Sequence, residues 1–454
     1  MKPLFTLFAL LAALITQAQD KQPAILPLQK RAEVIDRLFA NKIKTVLPGL
    51  MRREGIDMWV IIAREYNEDP VIRTLLPANW HAARRRTILL MFDPGEGKEI
   101  ETLAVARYDV GEVFNKAWDK DQQPDQWARL AELIEERDPQ KIGLNMSAHY
   151  GQADGLTHAE YEAFKASLTK KYQKRLVSAE KLALGWLETR TRAEMVIYPQ
   201  IVKIAHEIIA EGFSDKVIQP GVTTTEEVVW WYRERIKELK LDTWFHPSVS
   251  IQRGNQQKFD HLQTFAGHPA DNSIQPGDLL HVDFGITYLR LNTDTQQHAY
   301  VLRPGETDAP EYLQKALANG NRLQDIFTGN FKVGKTGNEV LAESRAQALA
   351  EGITPAIYTH PIGYYGHAAG TTLGMWDAQE GVPYTGDYPL HANTAYSIEL
   401  NAGTYIEEWG KEVKIMLEED AFFDGQTVRY MHGRQKRFLL IPRNNAATDI
   451  LAFE

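Results

Sequence analysis

Five residues in the second half of this 454-residue chain are of types that bind hard metal ions: Asp283, Asp294, His360, Glu399 and Glu418. Asp283 closes the apolar run LLHVDFG, Asp294 follows eleven residues later in LNTDTQQ, and His360 opens HPIGYYGH. Glu399 ends the strand-like TAYSIEL, and Glu418 lies in KIMLEEDAFF. Four carboxylates and an imidazole can hold two divalent ions, preferring Mn(II), or Co, Fe or Zn at need, over thiolate-loving metals. Two such ions about 3.5–4 Å apart can share a hydroxide and grip a carbonyl or phosphoryl oxygen. Without them, four converging carboxylates repel by roughly 3 kcal/mol per pair at ~5 Å and an effective dielectric of ~20.

Taken singly, each residue has an ordinary reading. Aspartates are common turn residues, and acidic strand ends are usually solvated. His360 and His367 sit seven apart in a Gly-rich loop, where they can be structural. Beside Glu418, Glu419 and Asp420 compete for the ligand role. Geometry adds a constraint. Eleven is an odd spacing, so Asp283 and Asp294 cannot face the same way on one strand. They converge if a strand ends near Phe284, turns over Gly285 to Leu289 and returns through Asn292 to Tyr300.

The elements that must position these residues fall in two parts. Residues 1–18 read as a secretory signal: Lys2, an apolar run from Leu4 to Ile15, and a small-residue cleavage site at Ala18. That run is shorter than the ~20 residues a membrane span needs. The expected mature protein is secreted or periplasmic, with no membrane partner. Residues 19–182 alternate helical and strand-like patterns. Arg31 to Leu50 reads as one amphipathic helix, and DMWVIIA, RTILLMF, LAVARYDV and KIGLNMS as strands. That alternation implies an α/β domain with a parallel or mixed sheet. Residues 183–454 open with a helix from Ala193 to about Lys216 and another after the cap Thr223-Thr224-Thr225-Glu226-Glu227. The overall fold class expected is α/β (α+β). With no cysteine, disulfides, thiolate zinc sites and cysteine nucleophiles are all excluded, and the core alone must carry stability. The net charge of −9 argues against nucleic acid as a partner. The basic run Arg84-Arg85-Arg86 reads as solvated or ion-paired.

The order Asp–(11)–Asp…His–(7)–His…Glu…Glu resembles the pita-bread metallopeptidase superfamily of methionine aminopeptidase, aminopeptidase P, prolidase and creatinase. The likeness runs from about Leu182 to the C-terminus, and the upstream part is similar to the creatinase/prolidase-type N-terminal domain. QPGVTTTEEV resembles the family's Pro-Gly-Val-Thr-Glu helix start, and GHPADNSIQPGDLLHVDFG the approach to its first metal aspartate. The resemblance implies that Asp283 binds one ion, that Asp294 and Glu418 bridge both, and that His360 and Glu399 complete the second site. It implies that Glu399 moves a proton and that His268, with His261 as the alternative, joins His367 in binding the substrate carbonyl. The implied activity is hydrolysis of the N-terminal bond of short peptides, by default Xaa-Pro, in a homodimer. The family's Asp-x-Thr-Arg is Asp294-Thr295-Gln296-Gln297 here, its His-Gly-x-Gly is His360-Pro361-Ile362-Gly363, and its late arginine is Met416. These departures spare every ligand and are expected to alter the substrate-facing rim. They leave two competing readings: lyase or hydrolase chemistry on a small non-peptide molecule, and a binding module without catalysis.

Overall fold

Two sheets divide the chain, as seen in a computed structural model that describes residues 25–254 and 272–442. The expected leader and its cleavage site at Ala18, and both His261 and His268, lie outside the described residues. Among the described residues no helix is long and apolar enough to cross a membrane.

The first sheet holds β1 (Met58–Arg64), β2 (Arg86–Phe92), β3 (Glu101–Ala104), β4 (Asn115–Lys116), β5 (Ile142–Leu144) and β6 (Leu176–Ser178), in the order β4-β3-β2-β1-β5-β6. It is mixed: β1 runs antiparallel to β2 and parallel to β5. Both faces of β1 are buried, Trp59 and Ile61 in one core and Val60 and Ile62 in the other. Burial on both sides is why DMWVIIA reads as a continuous apolar run rather than an alternating one. Two expectations need correction. The helix expected over Arg31 to Leu50 is two, Leu28–Thr45 and Leu47–Glu54, because Pro48 cannot donate the backbone hydrogen bond a continuous helix requires. LAVARYDV leaves the sheet after Ala104, where the Gln126 amide takes the Val105 carbonyl at 2.6 Å.

The boundary expected at Leu182 falls inside the helix Glu180–Glu188, whose Leu182, Trp186 and Leu187 pack in the core of the first sheet. The join comes a few residues later, where Thr189 bridges to Thr394 of the second unit. Glu188 is fully buried there. Tyr388 Oη donates to its Oε1 at 2.9 Å, while its Oε2 has no partner. Burial, only partly offset by Tyr388, Arg53 and Arg190, pushes its carboxyl up to about 8 from an ordinary 4.5. A pKa raised by folding contributes stability that is full below about 4.5 and is lost as pH rises through about 8. Glu188→Gln is therefore expected to gain on the order of a few kcal/mol over the natural protein between pH 6 and 9. Urea midpoints of both proteins at the two pH values check this; parallel curves would remove Glu188 as the cause.

The second sheet contains β7 (Ser248–Gln252), β8 (Leu279–Phe284), β11 (Thr295–Val301), β12 (Thr354–Ile357), β13 (His360–Pro361), β14 (Thr394–Ile406), β15 (Lys411–Phe423), β16 (Val428–Tyr430) and β17 (Leu439–Ile441); between β8 and β11 lies the small hairpin of β9 (Thr287–Tyr288) and β10 (Leu291–Asn292). Its main path is β12-β14-β15-β11-β8-β7. Val282 packs with the helices Arg192–Gly212 and Thr225–Glu238, and Ile398 and Leu417 pack with Glu311–Gly329 and Gly337–Ala350. Thr191 and Thr224 begin the first two of these helices, each in a reciprocal capping box with the glutamate three residues on.

Candidate metal centre

Strand register builds the site. Asp283 stands opposite Gln296 on β11, Gln296 opposite Glu418 on β15, and Glu418 opposite Glu399 on β14. Directly paired residues on neighbouring strands share a face. Three carboxylates and one amide therefore form a single row across four strands, on the face turned away from Val282, Leu417 and Ile398. Asp294, two residues before Gln296, shares that face. His360 pairs with Ser397, two residues before Glu399. It lies on a short strand, not in the irregular loop expected for it, and the loop begins only after Pro361.

The five sequence-selected ligands come together. Oxygen atoms of Asp283, Asp294 and Glu418 lie within 4.8 Å of one another, and so do ligand atoms of His360, Glu399 and Glu418. His360 Nε2 is 3.5 Å from Glu418 Oε1, 3.7 Å from Asp294 Oδ2 and 3.9 Å from Glu399 Oε2. Its Nδ1 lies 3.0 Å from the Pro361 carbonyl, which can only accept, so the ring proton sits on Nδ1 and the Nε2 lone pair faces the carboxylates. Burial first, and the Glu418 charge next, push Asp283, Asp294 and Glu399 well above the usual carboxylate range.

This donor set fits divalent cations on three counts. Asp283 Oδ1, Asp294 Oδ1 and His360 Nε2 are buried with no hydrogen-bond partner, a costly arrangement for polar atoms unless something else satisfies them. The atoms aim at common points. The crowded negative charge is what two cations would neutralise.

Alternation along β15 turns Glu419 away from the site and leaves Glu418 and Asp420 on its face. Glu418 faces the row. Glu419 points the other way and meets His206 Nε2 at 2.8 Å and Gln297 Nε2 at 3.2 Å. Asp420, on the Glu418 face, accepts from the Asp294 backbone N–H at 3.2 Å.

One departure expected at the rim lies instead at the centre. The Gln296 amide donates to Glu418 Oε2 at 2.8 Å and also to Glu399 Oε1. Its own Oε1 lies 2.9 Å from His281 Nε2, which must therefore donate. Ser397 Oγ holds Glu418 Oε1 at 2.6 Å. Gln296 and Ser397 escaped selection as site residues, although each sits two positions from a selected ligand on the same strand face. That period-2 signal was available in the sequence.

His367 reaches the site from the loop after β13. Its ring lies perpendicular to that of His360 at 4.7 Å and edge-on to Trp244 at 5.1 Å. Burial, and then His360, hold its pKa down to about 4, so the ring is neutral near pH 7. The loop is anchored by the first unit. Gln152 donates to the His367 carbonyl at 2.8 Å, Tyr365 Oη to the Pro70 carbonyl at 2.6 Å, and the Tyr364 ring lies against both Lys42 and Arg190. Trp244, far upstream, carried no sequence signal.

Residues 200–423 match the model of Metallopeptidase family M24. The matched segment, just under half of the chain, is that of the metal-dependent pita-bread peptidases, and the match supports a peptidase hydrolase. Among solved structures it is similar to the X-Pro aminopeptidase from Thermotoga maritima MSB8, at 16% identity over 86% of this chain and 99% of that one, with a TM-score of 0.60. It is similar also to an Xaa-Pro dipeptidase from Bacillus anthracis, at 18% identity over 91% and 100% of the two chains and a TM-score of 0.52. A third is dipeptidase PepE from Mycobacterium ulcerans, at 16% identity over 90% and 99%, with a TM-score of 0.58. At such identities the likeness is one of fold. No curated protein sequence matches.

Proposed function

We propose that this protein is an exported aminopeptidase or dipeptidase that holds two divalent ions, Mn(II) foremost, and hydrolyses the N-terminal bond of short peptides, Xaa-Pro by preference. One observation carries the dinuclear reading: two clusters of ligand atoms share Glu418, with Asp283 and Asp294 on one side and His360 and Glu399 on the other. The names of the structural neighbours, X-Pro aminopeptidase and Xaa-Pro dipeptidase, support the substrate class. Bound ions would supply Lewis acidity to the scissile carbonyl and bring the pKa of water near neutrality.

The chain's own residues divide the remaining work. Asp283, Asp294, His360, Glu399 and Glu418 bind the ions, while Gln296 and Ser397 fix the orientation of the shared carboxylates. Glu399, whose side chain is 16% exposed against 5% for Asp294 and 1% for Glu418, accepts a proton from the attacking water and passes it to the leaving amine. Neutral His367 donates a hydrogen bond to the carbonyl oxygen as it gains charge. His268 is the proposed second donor.

Purified mature protein is expected to contain about two ions per chain and to cleave Xaa-Pro dipeptides or longer Xaa-Pro peptides only with metal present. Two ions without cleavage of either would reject the substrate class, and no ions would reject the site. His367→Phe is expected to lower kcat by about 10²–10³ with metal content unchanged, as loss of an oxyanion donor does. A variant that lost its ions as well would instead make His367 part of the metal cluster. Export is checked by cell fractionation, with a mature N-terminus near Gln19 as the expected finding.

A further inference from the structure

The basic run Arg84-Arg85-Arg86 borders a partly open recess in the surface, with Arg84 and Arg85 exposed and Arg86 half-buried. Together with Arg64 at the end of β1, Arg107 after β3 and Lys120 after β4, it lines a pocket of about 370 Å³ at one edge of the first sheet. Six cationic side chains thus converge in a protein whose net charge is −9.

Local acids do not cancel that charge. The buried Glu160 is shared: Arg86 Nε lies 2.6 Å from its Oε2, and Arg64 Nε 3.4 Å from its Oε1. The Glu65 carboxylate accepts from the Arg85 backbone N–H at 3.3 Å and adds one further negative charge, which with Glu160 still leaves the six cations in excess. Among the described residues, Arg85, Arg107 and Lys120 have no carboxylate partner.

The cations are held in place even so. The Arg84 guanidinium lies over Trp80 at 5.0 Å, and Trp80 packs edge-on against Tyr108, another pocket residue. Arg86 lies over Trp127 at 4.6 Å. Stacking on an aromatic face orients a guanidinium without neutralising it. Arg85 adopts the left-handed backbone, φ 55°, which costs a side-chain-bearing residue about 1–2 kcal/mol. The strained turn is clamped by a hydrogen bond from Glu65 N–H to the Arg85 carbonyl at 2.7 Å. Solvated surface arginines need neither stacking partners nor a strained backbone to place them.

We propose that this pocket binds a small polyanion carrying at least two phosphate or carboxylate groups. The volume is at the lower end of small-molecule sites, and guanidinium forks match these oxyanions two oxygens at a time. The site belongs to the first unit and is separate from the metal centre.

The test is calorimetric titration of the metal-loaded full-length protein at fixed ionic strength with inorganic pyrophosphate, propane-1,2,3-tricarboxylate and inorganic phosphate. Saturable binding of one pyrophosphate or one tricarboxylate per chain is expected, at least tenfold tighter than phosphate and at least tenfold weaker in Arg85→Ala/Arg107→Ala. Whichever probe binds more tightly identifies the anion type. Chelation of the catalytic ions by a probe acts alike on both proteins, so the difference between them reads the pocket alone. Because both substituted side chains are exposed, the variant should fold; Arg107→Gln/Lys120→Gln is the second variant if it does not. Equal heats in natural and variant protein, no heat with either polyanion, or binding of an acidic peptide alone would each overturn the assignment.

Discussion

Asp294→Ala is expected to lower kcat/KM by at least about 10³, equivalent to about 4 kcal/mol of transition-state stabilisation, and to leave fewer than two ions per chain. Asp294 is the ligand whose oxygens reach both the Asp283–Glu418 cluster and the His360–His367 side of the site. It is also buried, with Oδ1 lacking any protein partner. A second readout distinguishes loss of a ligand from loss of the fold. In metal-free protein Asp294 is pushed toward protonation by burial and by the charges of Glu418, Asp283 and Glu399, so its removal relieves repulsion. The metal-free variant should therefore melt no lower than the metal-free natural protein. What it loses is the stabilisation by added metal, which for a tight ligand at ~1,000 times its Kd amounts to about 4 kcal/mol. A variant that melts lower without metal, yet keeps its ions and activity, would reject the ligand role.

The second large effect concerns a residue that the family pattern would make a threonine. Gln296→Ala strips the Glu418 and Glu399 carboxylates of a shared donor and removes the amide oxygen that lies 2.9 Å from His281 Nε2. Outer partners of metal ligands typically contribute 10–100-fold in metal affinity or activity, and a fall of that size is expected in both. Gln296→Glu should be worse than Gln296→Ala: it places a further carboxylate against two that already repel, and only protonation or the metals could relieve it. Gln296→Thr is predicted to fall between Gln and Ala, because one hydroxyl can serve one carboxylate but cannot also receive His281. Metal titration of the four proteins gives the ranking; Gln296→Glu binding metal more tightly than the natural protein would show that the amide itself competes with the ions.

The ligand cluster was legible because its members obey simple periodicities. Asp283 closes an apolar strand, Glu399 and Glu418 interrupt strands that would otherwise be buried, and an unpaired buried carboxylate is expensive enough to demand a reason. The odd spacing of Asp283 and Asp294 correctly called for a reversal of the chain between them. The turn itself was misplaced. It lies at Leu289 and Arg290, both at positive φ, joining β9 to β10, and not over Gly285 to Leu289. A two-residue hairpin turn of this kind normally takes Asn and Gly. Here Arg290 pins it by donating to the Leu76 and Pro77 carbonyls of the other unit, more than two hundred residues away.

Residue types and local periods by themselves singled out the four carboxylates and His360 as candidate ligands and the strands that carry Asp283, Glu399 and Glu418. Those are consequences of side-chain chemistry and of the two-residue repeat of a strand, and both are written locally. Only the tertiary structure decided that Gln296 bonds both Glu418 and Glu399, that Glu419 meets His206, and that the His367 loop is held by Lys42, Gln152 and Pro70 of the first unit. It also brought Arg64, Arg107 and Lys120 to the Arg84-Arg85-Arg86 run in one pocket. Each of these depends on the register between strands or on contacts between the two units, and those are set by long-range packing, which no local pattern encodes.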